Sequence, residues 1–169
     1  MDLSRVPPSP SSGLVNLLIT SPAGSRHQYA FSPEEGLFVL RRVLDSAIAH
    51  PFDHGFIPNT QGGAGEPIAA MVITSEPTFV GCLVRGRPIG LLELQEQERC
   101  VSTVLCIPDA DPRQDAIRSI RQIAPAQLEE IAEFFRSIRT IEGGSVLRQG
   151  WRDADAVPLL MQACAASAD

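Results

Sequence analysis

The stretch His50-Pro51-Phe52-Asp53-His54-Gly55-Phe56-Ile57-Pro58 sets two histidines four residues apart, a spacing that would place both on one face of a helix. Pro51 falls between them and disfavours a helix at that point. Outward from this stretch, short apolar runs at 14–20, 27–31, 37–40, 70–74, 79–85, 88–95 and 101–107 are separated by Gly, Pro, Asn and Asp. Several short strands with that punctuation predict a closed or sandwiched sheet rather than alternating βαβ units.

The pattern changes after Pro108. From Pro125 to Glu142, Leu128, Ile131, Phe134, Phe135, Ile138 and Ile141 recur at three- and four-residue spacings between Glu129, Glu130, Glu133 and Arg136. Proline at the start and Gly143-Gly144 beyond the end complete the signature of an amphipathic helix. A last helix is predicted from about Ala154 to Ala166, with Asp153 or Asp155 as its N-cap. Residues 1–13 are rich in Pro and Ser and read as a flexible leader, leaving 14–169 as a single domain.

Composition narrows the function classes. With 169 residues, 44% hydrophobic and 20% charged, the protein can bury a core. Its net charge of −6 argues against sequence-independent binding to nucleic acid or an anionic membrane. All 14 basic residues are arginine, which excludes a lysine Schiff base or a P-loop lysine. No run of 18 apolar residues and no apolar leader is present, so a cytoplasmic location is expected. Cys82, Cys100, Cys106 and Cys164 show neither C-x-x-C nor zinc-finger spacing and read as reduced thiols.

Four segments carry a family likeness. The 50–58 stretch, Gly65-Glu66-Pro67, Arg87-Pro88-Ile89-Gly90, and Glu133-Phe134-Phe135 through Gly150-Trp151 resemble the soluble family I inorganic pyrophosphatases. The resemblance implies a mainly β fold with α (α+β): an OB-like five-stranded closed β-barrel with flanking C-terminal helices. It also implies a homo-oligomer, in bacteria commonly a hexamer. In that family a Tyr-Pro-x-Asn-Tyr-Gly segment precedes an Asp-Gly-Asp-Pro-x-Asp loop, and several divalent cations are held by carboxylates.

Carried over residue by residue, the resemblance places the three principal metal ligands at Ala64, Ala69 and Val101, none of which can ligate. Two further Glu positions fall at Leu18 and Ala30, and the phosphate-gripping lysines at Gln28, Thr103 and Arg139. Phosphate-contacting tyrosines fall at His50 or His54 and at Ile138. Arg42 matches a phosphate-binding arginine, with Arg41 beside it where the family has Asp. Glu66 matches the carboxylate that acts on the attacking water, and Glu96 an accessory metal ligand.

The expectation from these positions is a retained fold whose magnesium-dependent diphosphatase chemistry has been lost, with no cofactor. A cavity lined by Leu18, Ala30, Ala64, Ala69, Val101 and Ile138 would suit a relatively apolar small organic metabolite. Glu66 with His54 or His50 would be the catalytic acid–base pair, for isomerisation, dehydration or cyclisation in specialised biosynthesis. Arg42, Arg139, Gln28, Tyr29, Glu96, Val101 and Ile138 would bind the substrate. A non-catalytic ligand-binding or assembly pseudoenzyme is the alternative, and weak residual diphosphatase the third. A zinc site from His50, His54 and a glutamate is disfavoured by Pro51.

Overall fold

Among the described residues, eight strands and two α-helices make up the fold: β1 (Val15–Ser21), β2 (His27–Ser32), β3 (Leu37–Val43), β4 (Asp53–Phe56), β5 (Ala69–Val72), β6 (Leu83–Glu96), β7 (Arg99–Pro108), α1 (Pro125–Ile141), β8 (Val146–Asp153) and α2 (Ala156–Ala163). The structure, a computed structural model, describes residues 2–44, 47–62, 65–96 and 99–164. β1 pairs with β4, β4 with β5, β5 with β7, β7 with β6, and β6 returns to β1, so five strands close a ring. Only the β5–β7 contact is parallel among these pairs. The expected OB-like barrel with helices beside it is the architecture observed.

β6 serves two neighbours because it is long and bent. Its first residues, Leu83–Gly86, pair with β1, and Gly90 onward pairs with β8. The two apolar runs at 79–85 and 88–95 are thus largely one strand. Pro88 lacks an N–H and reads as a break, but it sits beside a register shift between Pro88 and Gly90, where a ladder tolerates proline. Two strands escape the apolar-run reading. β4 carries Asp, His and Gly, and β8 carries charged and polar residues on the outside of β6.

Two apolar layers sandwich the sheet. On one side Met71, Leu92, Leu94, Leu105 and Ile107 pack with Ile131, Phe134, Phe135 and Ile138 of α1. On the other, Ile19, Val72, Leu91, Val104 and Cys106 pack with Ala156 and Val157 of α2. Alternation along each strand produces this division, because successive side chains leave opposite faces. Gly55 is fixed by a close approach: a Cβ there would lie 1.9 Å from the Leu18 carbonyl oxygen on β1.

α1 begins with Pro125 in its first turn and ends where the Gly144 N–H donates to the Arg139 carbonyl at 2.8 Å. Gly143 adopts φ +79°, a left-handed conformation that closes helices at little cost for glycine. α2 is shorter than predicted, preceded by Asp155 with no side-chain cap, and the predicted end at Ala166 lies outside the described residues. In the leader, the Asn59 side-chain amide donates to the carbonyls of Leu3, Ser4 and Val6. Asn16 likewise donates to Pro7.

Candidate functional site

A cavity of about 720 Å³ opens between the β2–β3 hairpin, the edges of β5 and β7, and the C-terminal end of α1. Its floor is made by Ala69, Val101 and Ser102. The ladder brings them together, since Ala69 pairs with Thr103, two residues along β7 from Val101. Small side chains on this floor leave the space open.

The hairpin contributes Gln28, Tyr29, Ala30, Arg41 and Arg42. Adjacent residues of a regular strand face opposite ways, so Arg41 and Arg42 should not share a site. The β2–β3 register shifts here: Gln28 pairs with Arg42, Tyr29 with Leu40, and Arg41 is the extra residue of a bulge. A bulge re-aims side chains in this manner, and both guanidiniums reach the cavity. Arg139 enters from the last turn of α1 and Arg99 from the start of β7.

Four arginines therefore face two lining glutamates, Glu66 and Glu142. The charges are chained. Arg42 Nη1 lies 3.1 Å from Glu142 Oε1, and Arg139 Nη1 lies 3.0 Å from Glu142 Oε2. Arg139 Nε then reaches Glu96 Oε1 at 2.8 Å, and Arg99 Nε reaches Glu96 Oε2 at 2.8 Å. The Glu96 Oε1 contact is an ion pair whose angles fall short of a hydrogen bond. Arg41 has no ion pair among the described residues, and the Glu66 side chain is exposed.

The histidines behave differently from the arginines. His50 is buried against Phe134, with ring centroids 4.7 Å apart, and stacks on His54 at 5.4 Å. Among the described residues, neither ring nitrogen of His50 has a partner, nor has Nε2 of His54. Burial pushes His50 down to about 4. Burial, then the charges of His50 and Arg139, push His54 down to about 3. Both are neutral imidazoles at neutral pH. Asp53, beside them in sequence, points to the opposite face, where its buried carboxylate accepts from Ala23 N–H at 2.8 Å and Thr78 N–H at 2.9 Å.

Of the residues singled out from sequence, Glu66, His54, Arg42, Arg139, Gln28, Tyr29, Ala30, Ala69 and Val101 line the cavity. His50 and Ile138 lie in the apolar layer beneath it, and Glu96 sits behind Arg139 and Arg99. Leu18 is fully buried, and Thr20, two residues on, takes the cavity-facing place on β1. Ala64 lies outside the described residues. Arg99, Glu142, Thr20 and Ser21 line the site without having been anticipated. Arg99 reaches the cavity from the start of β7, which no spacing rule reveals. Glu142 had a readable signal, standing three residues beyond Arg139 on a helix.

An inorganic pyrophosphatase family model matches residues 17–169. The chain belongs to the inorganic pyrophosphatase family. It is 46% identical over 164 residues to a protein of Synechocystis named inorganic pyrophosphatase, covering 97% of both chains. A Nostoc protein of the same name is 44% identical, covering 95% of each. The crystal structure of the inorganic pyrophosphatase from Thermus thermophilus superposes with a TM-score of 0.89 at 30% identity, covering 98% of each chain.

These relatives correct the functional expectation. Lost diphosphatase chemistry, a pseudoenzyme with a degenerate metal site, and a biosynthetic acid–base catalyst are overturned by near full-length identity to proteins named inorganic pyrophosphatase. The geometry agrees: beside Ile68, Ala69, Val101 and Leu160 the cavity is lined by four arginines and further polar groups, more charge than a neutral metabolite would need. Among the described residues the ring nitrogens of His50 and Nε2 of His54 lack the hydrogen bonds of an acid–base pair, and Glu66 lacks the apolar burial assigned to it.

The expectation of no cofactor is corrected likewise, since family I inorganic pyrophosphatases require Mg²⁺. This chain's donors do not fit a cage built wholly by protein. Ala69 and Val101 present hydrocarbon, Glu96 and Glu142 are each held by two arginines, and the Glu66 carboxylate has no partner among the described residues. Among the described residues no three His, Cys, Asp or Glu side chains converge as a metal site. No helix among the described residues is long and apolar enough to cross a membrane.

Proposed function

We propose that the cavity binds inorganic pyrophosphate and that the protein hydrolyses it to two phosphates. The observation that carries this reading is the convergence of Arg41, Arg42, Arg99 and Arg139 on one cavity in a member of this family. Guanidinium forks match phosphate oxygens in charge and geometry. A small anion with several negative charges is the ligand such a wall discriminates for.

Magnesium is the substrate's own partner in this reading: Mg²⁺ commonly keeps several waters and takes substrate phosphates with only one or two carboxylates. Arg42 and Arg139 hold the phosphoryl oxygens and offset charge that grows on the departing phosphate. Glu66, exposed at the cavity mouth, accepts the proton of the attacking water. The new P–O bond forms from that water, the bridging P–O bond breaks, and its electron pair leaves with the second phosphate. His54 remains a neutral wall at the site. The exposed apolar residues Leu37, Val39 and Leu40 of the hairpin agree with self-association into a homo-oligomer.

Phosphate release from pyrophosphate by the purified protein, over a range of Mg²⁺ concentrations, tests the reading. Turnover that saturates in Mg²⁺ and is lost in Glu66→Gln is expected. A folded protein that releases no phosphate at any Mg²⁺ concentration overturns it.

A further inference from the structure

We infer that Glu142 is an internal anion: its carboxylate occupies the guanidinium pair Arg42–Arg139 in the empty state and must be displaced by an incoming phosphate, so it sets the affinity of the site. The inference rests on the pyrophosphate reading and concerns the same cavity.

Three observations carry it. First, one carboxylate bridges two arginines from distant elements, Oε1 to Arg42 on β3 and Oε2 to Arg139 on α1. Two anionic oxygens, one for each guanidinium, are what a phosphate would present to the same pair. Second, Glu142 is at the C-cap of α1, where exposed carbonyls make the negative end of the helix dipole. A carboxylate is disfavoured there, and the arginines are what hold it. Third, the contact is weak enough to exchange. Arg42, Glu142 and Arg139 keep 33%, 34% and 25% of their side-chain surface in solvent, and ion pairs with that access to water contribute little net stability. The pair Arg139–Glu96 is different: Glu96 is 11% exposed and stays as a brace when Glu142 leaves.

Displacement requires only that the Glu142 side chain turn outward, since its backbone N–H is held by Ile138 and Thr140. Arg139 would keep its aim through Glu96, and Arg42 would be free to follow the ligand. Arginines already paired with a carboxylate also resist weakly charged competitors, because a monoanion gains little by replacing an internal one.

Calorimetric titration with inorganic phosphate in a chelator, comparing wild type with Glu142→Gln, tests the inference separately from hydrolysis. Glu133→Gln serves as control, removing one charge from the exposed side of α1, where Glu133 pairs with Arg136. Glu142→Gln is expected to bind phosphate about tenfold more tightly, with Glu133→Gln unchanged. Equal or weaker binding by Glu142→Gln, or equal gains in both variants, overturns it. A crystal structure of the wild type with phosphate provides a second reading: Glu142 turned away from Arg42 supports displacement, and Glu142 still bridging both arginines refutes it. Failure of magnesium-dependent hydrolysis with these binding results intact would refute the diphosphatase reading alone.

Discussion

The cavity wall and the buried polar groups of the 50–54 segment use charge in opposite ways. On the wall, Arg42, Arg99 and Arg139 share two glutamates, remain partly in water, and reach the site from three separate elements. Asp53, on the opposite face of β4, is fully buried with its carboxylate satisfied by two backbone N–H groups, while His50 is buried with neither ring nitrogen satisfied among the described residues. Solvated pairs contribute little to folding and are free to exchange partners. Buried polar groups do the reverse: satisfied they lock the fold, and unsatisfied they cost stability. Binding and folding are therefore carried by different residues within one short span of the molecule.

Substitution on the wall gives the largest separation. Arg139→Gln is expected to lower kcat/KM for magnesium pyrophosphate about a hundredfold, the worth of a charge-assisted contact, while Tm moves little. A comparable fall in Tm would show that the wall is structural. In the buried segment, Asp53→Ala strands the N–H groups of Ala23 and Thr78. Its unfolding free energy should drop by about 2 kcal/mol in denaturant melts, with the activity of the folded fraction retained.

Acid sharpens the contrast. The unfolded protein protonates both histidines near pH 6.5, whereas burial keeps them neutral in the fold to about 4 at His50 and about 3 at His54. The unfolded state binds more protons in that window, so stability falls as pH drops below 6.5 and stops falling only past the folded values. The slope is about 1.4 kcal/mol per pH unit for each histidine. Melts from pH 7 to 4 should show it, and His50→Phe should remove one proton's worth of slope. The smallest effect is expected on the floor. Val101→Asp adds a hard oxygen donor beside Ala69 and should lower the Mg²⁺ concentration needed for half-maximal turnover several-fold. No change would mean that the floor does not face the cation.

Much of the fold was legible because its signals are local. The apolar face of α1 repeats at the period of a helix, the short apolar runs of β1 and β7 are bounded by turn residues, and the motif around Gly55 placed the barrel. The site was legible only where alignment reached it. Arg42 and Arg139 followed from their positions, but the cationic character of the cavity did not. It depends on the bulge that turns Arg41 toward Arg42, set by the β2–β3 pairing, and on the place of Arg99 at the start of β7. Reading the absent carboxylates at Ala69 and Val101 as a loss of function gave weight to residues that had changed. It gave none to the arginines that the fold gathers around them.

The most direct test of the charged wall as a pyrophosphate site is the initial rate of phosphate release from magnesium pyrophosphate by the wild-type protein and Arg139→Gln, with melting curves on the same samples. Turnover by the wild type, lost about a hundredfold in the variant at nearly unchanged Tm, is the expected result. A well-folded wild type that releases no phosphate, or a variant as active as the wild type, would contradict it.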